Sequence, residues 1–171
     1  AGELAIDFVL HGDHGVAGPW AARAKPGDLL VVGGPRGSFQ VADDFDGYVL
    51  IGDETALPAI GRWLDVLPEE AEVQVLIEVA DEAERQVLPQ GDNVRIQWLE
   101  RNGFPAATST LLEDALVDLE APEGDVFYWI ATESRRARMM RKFFEGHHAV
   151  PRDWIRSTGY WKAHPDDTDG D

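Results

Sequence analysis

The chain has 171 residues, 44% apolar and 9% aromatic. That is enough to bury the core of one large domain or one and a half small ones, and it excludes a disordered tail or a collagen-like fibre. Fifteen Lys and Arg against 32 Asp and Glu give a formal charge of −17, which repels phosphodiester backbones and excludes a general nucleic-acid binder, while the absence of Cys excludes disulfides, thiolate metal sites and Cys nucleophiles, so redox chemistry needs a bound cofactor.

In chain order, residues 3–11 (ELAIDFVLH) read as a strand that ends in the small-residue stretch Gly12 to Pro19, and PWAARAK is short and helix-compatible. Pro26-Gly27-Asp28 reads as a turn into a second strand, Leu29 to Val32, closed by the glycine-rich loop Gly33 to Ser38. After an acidic linker from Val41 to Gly47, the continuous apolar run Tyr48-Val49-Leu50-Ile51 is a strand covered on both faces, stopping at Gly52. Strands and helices then alternate: a helix over 54–67, strands over 73–80 and 94–99, a helix over 108–119, a strand over 125–132 and a helix over 134–144. Such alternation predicts right-handed crossovers, and so an α/β fold with a parallel sheet and helices on both faces. A short final segment spans 153–162, and 165–171 is a solvated acidic tail. A boundary near residue 44 is expected, because the first two strands lack a crossover long enough for a parallel pair.

No apolar run reaches the roughly 18 to 20 residues of a membrane span, and AGELAIDFVLHG lacks the basic region of a signal peptide, so a cytoplasmic protein without a membrane span is expected. The first residue is Ala, as in a processed chain or a piece of something longer.

Ligands of open α/β sheets bind beyond the carboxyl ends of the strands, which directs attention to the turn Gly52-Asp53-Glu54-Thr55-Ala56. Gly52 allows close approach of a phosphate, and the following helix offers free N–H groups and a positive dipole end. The same residues also read as a capped helix start with Asp53 or Thr55 as the cap. Five of the fifteen basic residues, Arg135, Arg136, Arg138, Arg141 and Lys142, fall within eight positions after the strand 125–132. Arg135 and Arg138 share a helix face and suit a phosphate fork; an exposed basic face accounts for the group equally well, and better for Arg141 and Lys142. His11 and His14 have a metal-like spacing with no third ligand, so no metal site is expected, and no set of residues recommends itself for general acid or base catalysis. Trp20 and Trp161 border glycine-rich segments and suit a ring-shaped ligand, whereas Trp63, Trp98 and Trp129 read as core.

His11-Gly12 followed by Gly18-Pro19-Trp20-Ala21-Ala22, the stretch Gly34 to Phe39, the turn Gly52 to Ile60 (GDETALPAI) and Gly159-Tyr160-Trp161-Lys162 together resemble the siderophore-interacting proteins, flavin-dependent ferric-siderophore reductases similar to ferredoxin-NADP reductases. The resemblance implies an antiparallel FAD-binding barrel, of which residues 1–44 are the C-terminal remnant, and an NAD(P)H-binding domain over 45–164. It places His11, Gly12, Gly18, Pro19, Trp20 and Ala21 at the flavin. Gly52, Asp53, Glu54, Thr55 and Ala56 fall at the nicotinamide cofactor. Glu133 corresponds to the family's strand-end Ala-x-Glu, with Arg135 and Arg138 beside it for a 2′-phosphate, and Trp161 with Lys162 lies near flavin and chelate. The family's barrel motif Arg-x-Tyr-Thr/Ser belongs upstream of this sequence, so FAD binding needs the other half of the barrel, and that half or a partner would cover the exposed edge. The expected reaction passes electrons from NAD(P)H through FAD to an Fe(III)-siderophore. The rival readings are a flavin-free nucleotide-binding module, such as a sensor or pseudoenzyme, and another reductase of the ferredoxin-reductase type.

Overall fold

The computed structural model describes residues 4–6, 8, 10, 15–33 and 43–163. The chain divides into two units, Ala1–Ala42 and Asp43–Asp171.

In the first unit, Gly18-Pro19-Trp20-Ala21 lie in a two-turn helix, α1 (Ala17–Arg23), all four half-buried. The Trp20 ring meets Phe8 at 6.1 Å. The turn at Pro26-Gly27 forms as expected: Gly27 has φ +98°, the Asp28 amide donates to Lys25 O, and the Lys25 amide donates to the Asp28 carboxylate. The strands expected over 3–11 and 29–32 do not form among the described residues. Leu29 and Val31 are more than nine-tenths exposed, and an extended segment without a ladder partner loses backbone entropy and gains no hydrogen bonds. The loop residues 34–40, His11 and Gly12 and the acidic tail lie outside the described residues.

The second unit is built on the apolar runs. Strands β1 (Gly47–Asp53), β2 (Glu72–Val79), β3 (Val94–Glu100), β4 (Val126–Glu133) and β5 (Ile155–Trp161) form a wholly parallel sheet in the order β3-β2-β1-β4-β5. Every residue of β1 and β4 is buried, because these central strands have neighbours on both edges and helices on both faces. Helix α2 (Leu57–Val66) covers the face of Tyr48, Phe127 and Trp129, its Trp63 ring lying 6.1 to 6.4 Å from all three. Helices α3 (Leu111–Ala115) and α4 (Ser134–His147) cover the other, where Val49, Ile51, Leu76, Tyr128 and Ile130 meet Leu112, Met140 and Phe144.

Four expectations are corrected in detail. The first helix opens at Glu54–Ala56 as a 3₁₀ turn, and α2 proper begins only at Leu57 with Pro58 in its first turn. The second is only five residues long, since the amides of Val117 and Leu119 already donate three residues back, to Asp114 O and Leu116 O. The final segment is a full strand, parallel to β4, and β1 runs through Gly52 to Asp53.

Candidate functional site at the carboxyl edge of the sheet

The strand order reverses between β1 and β4, which directs attention to the place where these two neighbours end, at Asp53 and Glu133. Gly52 lies between them in a space that admits no side chain: a Cβ there would fall 2.4 Å from the Ala56 Cβ and 3.0 Å from Ala131 O. This closeness folds the Glu54–Ala56 turn down onto the end of β4.

Asp53 is buried and fully engaged. Its Oδ1 accepts from the Thr55 amide at 3.0 Å and from the Thr55 hydroxyl; its Oδ2 accepts from the Thr132 hydroxyl at 2.6 Å and the Trp161 indole N–H at 2.8 Å. One carboxylate thus ties together the ends of β1, β4 and β5 and caps the turn, and the Thr55 amide points inward. Glu133 works in the same way for α4: its Oε2 accepts from the amides of Arg135 (2.6 Å) and Arg136 (3.1 Å), so the chain's own carboxylate fills that helix N-terminus. Ser134 Oγ donates to Trp161 O at 2.8 Å, and a Cβ on Gly159 would collide with that hydroxyl.

Beside this knot lies a chain of five charges. Glu78, the β2 neighbour of Asp53, is completely buried. Arg136 donates to Glu78 through Nη1 (3.2 Å) and Nη2 (2.7 Å) and to Glu113 on α3 through Nε (2.9 Å) and Nη2 (2.8 Å). Arg101, just past β3, donates to Glu78 at 3.3 Å and to both oxygens of Glu54 at 2.5 and 2.9 Å. Burial opposes the charge of both guanidiniums, but the hydrogen bonds and Coulomb attraction of these carboxylates outweigh it, so both hold their protons more firmly than a free arginine. Glu78, Arg101 and Glu113 were not singled out from the sequence. The available signal was a charged residue inside the apolar run VQVLIEVA, since a carboxylate on a strand covered on both faces demands cationic partners.

The groups left facing outward are few. Arg135 and Arg138 are exposed on the first turns of α4; Arg138 Nε donates to Ser134 O at 3.0 Å, and the Arg135 side chain makes no ion pair or hydrogen bond with another described residue. Lys162 is exposed after β5. A groove of about 420 Å³ opens at the end of β3, lined among others by Arg101, Asn102, Phe104, Thr108 and Thr110. The edge therefore presents exposed arginines, while Asp53, Glu54 and Glu133 serve the fold beneath it.

The family model described as siderophore-interacting protein matches residues 45–164, and that described as siderophore-interacting FAD-binding domain matches residues 1–39. The chain belongs to the siderophore-interacting protein family. It is 36% identical over 164 residues to the NADPH-dependent ferric-chelate reductase of Escherichia coli (strain K12), covering 94% of this chain and 61% of that protein. It is 32% identical over 162 residues to ferric vibriobactin reductase ViuB of Vibrio cholerae, covering 94% and 59%. The solved structure of a siderophore utilization protein from T. fusca superposes with a TM-score of 0.84 at 41% identity, over 95% of this chain and 61% of that one. The chain thus spans about three fifths of the length of these relatives of the siderophore-interacting family.

Proposed function

We propose that residues 45–164 are the NAD(P)H-binding domain of a flavin-dependent ferric-siderophore reductase, that residues 1–44 belong to its FAD-binding barrel, and that the coenzyme lies across the carboxyl ends of β1 and β4. The observation that carries the reading is the outward placement of Arg135 and Arg138 at the strand-order reversal of a protein of net charge −17, in a family with a relative named as an NADPH-dependent ferric-chelate reductase. Cations at that edge concentrate a polyanionic nucleotide where the rest of the surface would repel it.

The donor set at the edge fits a phosphorylated nucleotide: two exposed guanidiniums for phosphate, with the Asp53 knot fixing the floor and the groove beside Arg101 leaving room along the edge. Since the Thr55 amide donates to Asp53, phosphate recognition rests on α4 instead of the turn after β1. For flavin, the described residues of this chain supply the half-buried Trp20 beside Phe8, and the FAD-binding family match supplies the rest of the argument. A bound nicotinamide would supply a hydride, and a bound flavin would let its two electrons leave one at a time, to two Fe(III), with release of the proton. Reduction of substrate Fe(III) to Fe(II) weakens its bonds to hard oxygen donors and lets a siderophore release it. The exposed Lys162 is placed to meet an anionic chelate.

Each charged hydrogen bond to phosphate contributes about 1.5 to 3 kcal/mol, so Arg135→Ala with Arg138→Ala should raise the Kd for NADPH about tenfold or more and leave NADH nearly unchanged. Calorimetric titration of the chain with both coenzymes measures this; equal losses would refute phosphate recognition by these arginines. In protein that carries the rest of the barrel, yellow colour with flavin absorbance separates a reductase from a flavin-free nucleotide-binding module.

A further inference from the structure

The charge chain, buried at Glu78, Arg101 and Arg136, is more than a stabiliser would require. Replacing buried ion pairs by well-packed apolar residues is commonly neutral or stabilising, so five charges at the ligand edge call for a positional reason. Arg136 supplies one. It uses Nε, Nη1 and Nη2, donating to Glu78 on β2 and Glu113 on α3, and so pins the third residue of α4 to two other elements. The amide of the same residue is held by Glu133, and the first residue of α4, Ser134, is held by Trp161 O. Helical residues advance by about 100° each, so with Arg136 directed inward, Arg135 and Arg138 fall within about 60° of one another on the outward side. Both are exposed, as this rotation requires.

We propose that Arg136 is a positioning residue for coenzyme discrimination: its two-carboxylate fork sets the rotation of the first turn of α4, which aims Arg135 and Arg138 together at one phosphate. The proposal rests on the reading that these two arginines take the coenzyme's extra phosphate, and it adds the residue that orients them. Glu78 is its buried anchor, and Glu113 is the partner that ties the helix to α3.

The test is Arg136→Lys, which keeps the charge and loses the planar fork, since an ammonium cannot hold two carboxylates bidentately. Glu113→Gln is the second variant, removing one arm without stranding a buried charge. Circular dichroism and thermal melts of the full chain report folding, and calorimetric titrations with NADPH, NADH and 2′,5′-ADP report recognition. The expected result is a folded Arg136→Lys protein whose Kd for NADPH and for 2′,5′-ADP rises at least fivefold while that for NADH changes less than twofold, with Glu113→Gln shifting the same ratio in the same direction. A purely structural role would lower the melting temperature and leave the NADPH to NADH ratio where it was, which overturns the proposal. If Arg136→Lys does not fold, the ratio in Glu113→Gln decides by the same criterion. If the Arg135→Ala, Arg138→Ala protein keeps the wild-type ratio, the underlying phosphate reading fails, and that outcome is distinct from normal discrimination in the fork variants alone.

Discussion

Asp53 illustrates how a residue conspicuous in a motif can act through the fold. Its carboxylate accepts four hydrogen bonds from Thr55, Thr132 and Trp161, so Asp53→Ala leaves a buried hydroxyl and an indole N–H without an acceptor. The expected cost is on the order of 3 kcal/mol, read as a fall of roughly 6 to 12 °C in melting temperature, with a changed environment for Trp161 fluorescence. Gly52 is constrained even more tightly. With Ala56 Cβ and Ala131 O already inside contact distance of a Cβ, Gly52→Ala should cost about 1 to 3 kcal/mol through overpacking, measurable as a shift of the urea midpoint without change of slope. Both residues stood out in the sequence as ligand contacts; their structural roles were one of the two readings open there, and only the partners in β4 and β5 show how those roles are met.

At the scale of elements, α4 is the part most dependent on its own ends. Glu133 occupies the helix N-terminus, and Glu133→Ala should cost about 1 kcal/mol by loss of the cap, with faster amide exchange at Arg135 and Arg136 as the local signature. The central strands and α2 were legible because continuous apolar runs and a one-sided apolar stripe have direct physical meanings. The α3 segment was overestimated, since periodicity over 108–119 is not sustained by a helix that closes after Ala115. The two N-terminal segments are β-like in residue type, yet a strand exists only with a partner, and the described residues there have none.

For the whole molecule, charge and burial make opposite demands. A protein of −17 repels itself, while the central members of its five-residue ionic chain, Glu78, Arg101 and Arg136, are buried and shielded from solvent. The melting temperature should therefore rise as NaCl is raised from about 10 to 300 mM, where the Debye length shrinks from about 30 Å to below 10 Å. A fall on adding salt would indicate that exposed attractive pairs dominate. At the alkaline end, burial holds the phenols of Tyr48 and Tyr128 above their ordinary value. The folded state keeps these groups neutral while the unfolded chain ionises, so their contribution is complete below pH 10 and is lost as pH rises beyond it. Urea midpoints measured at pH 8.5 and 11 should show the drop.

The sequence by itself determined the fold class, the parallel alternation of strands and helices and the family, because hydrophobic periodicity, glycine-rich turns and short motifs are local and survive without knowledge of distant partners. Only the tertiary structure decided which charged groups are exposed at the carboxyl edge and which lie beneath it. Asp53, Glu54 and Glu133 are claimed by Trp161, Arg101 and the amides of α4, and Arg136 is separated in direction from Arg135 and Arg138. A carboxylate's role depends on what donors surround it, and those donors come from strands and helices that are remote along the chain.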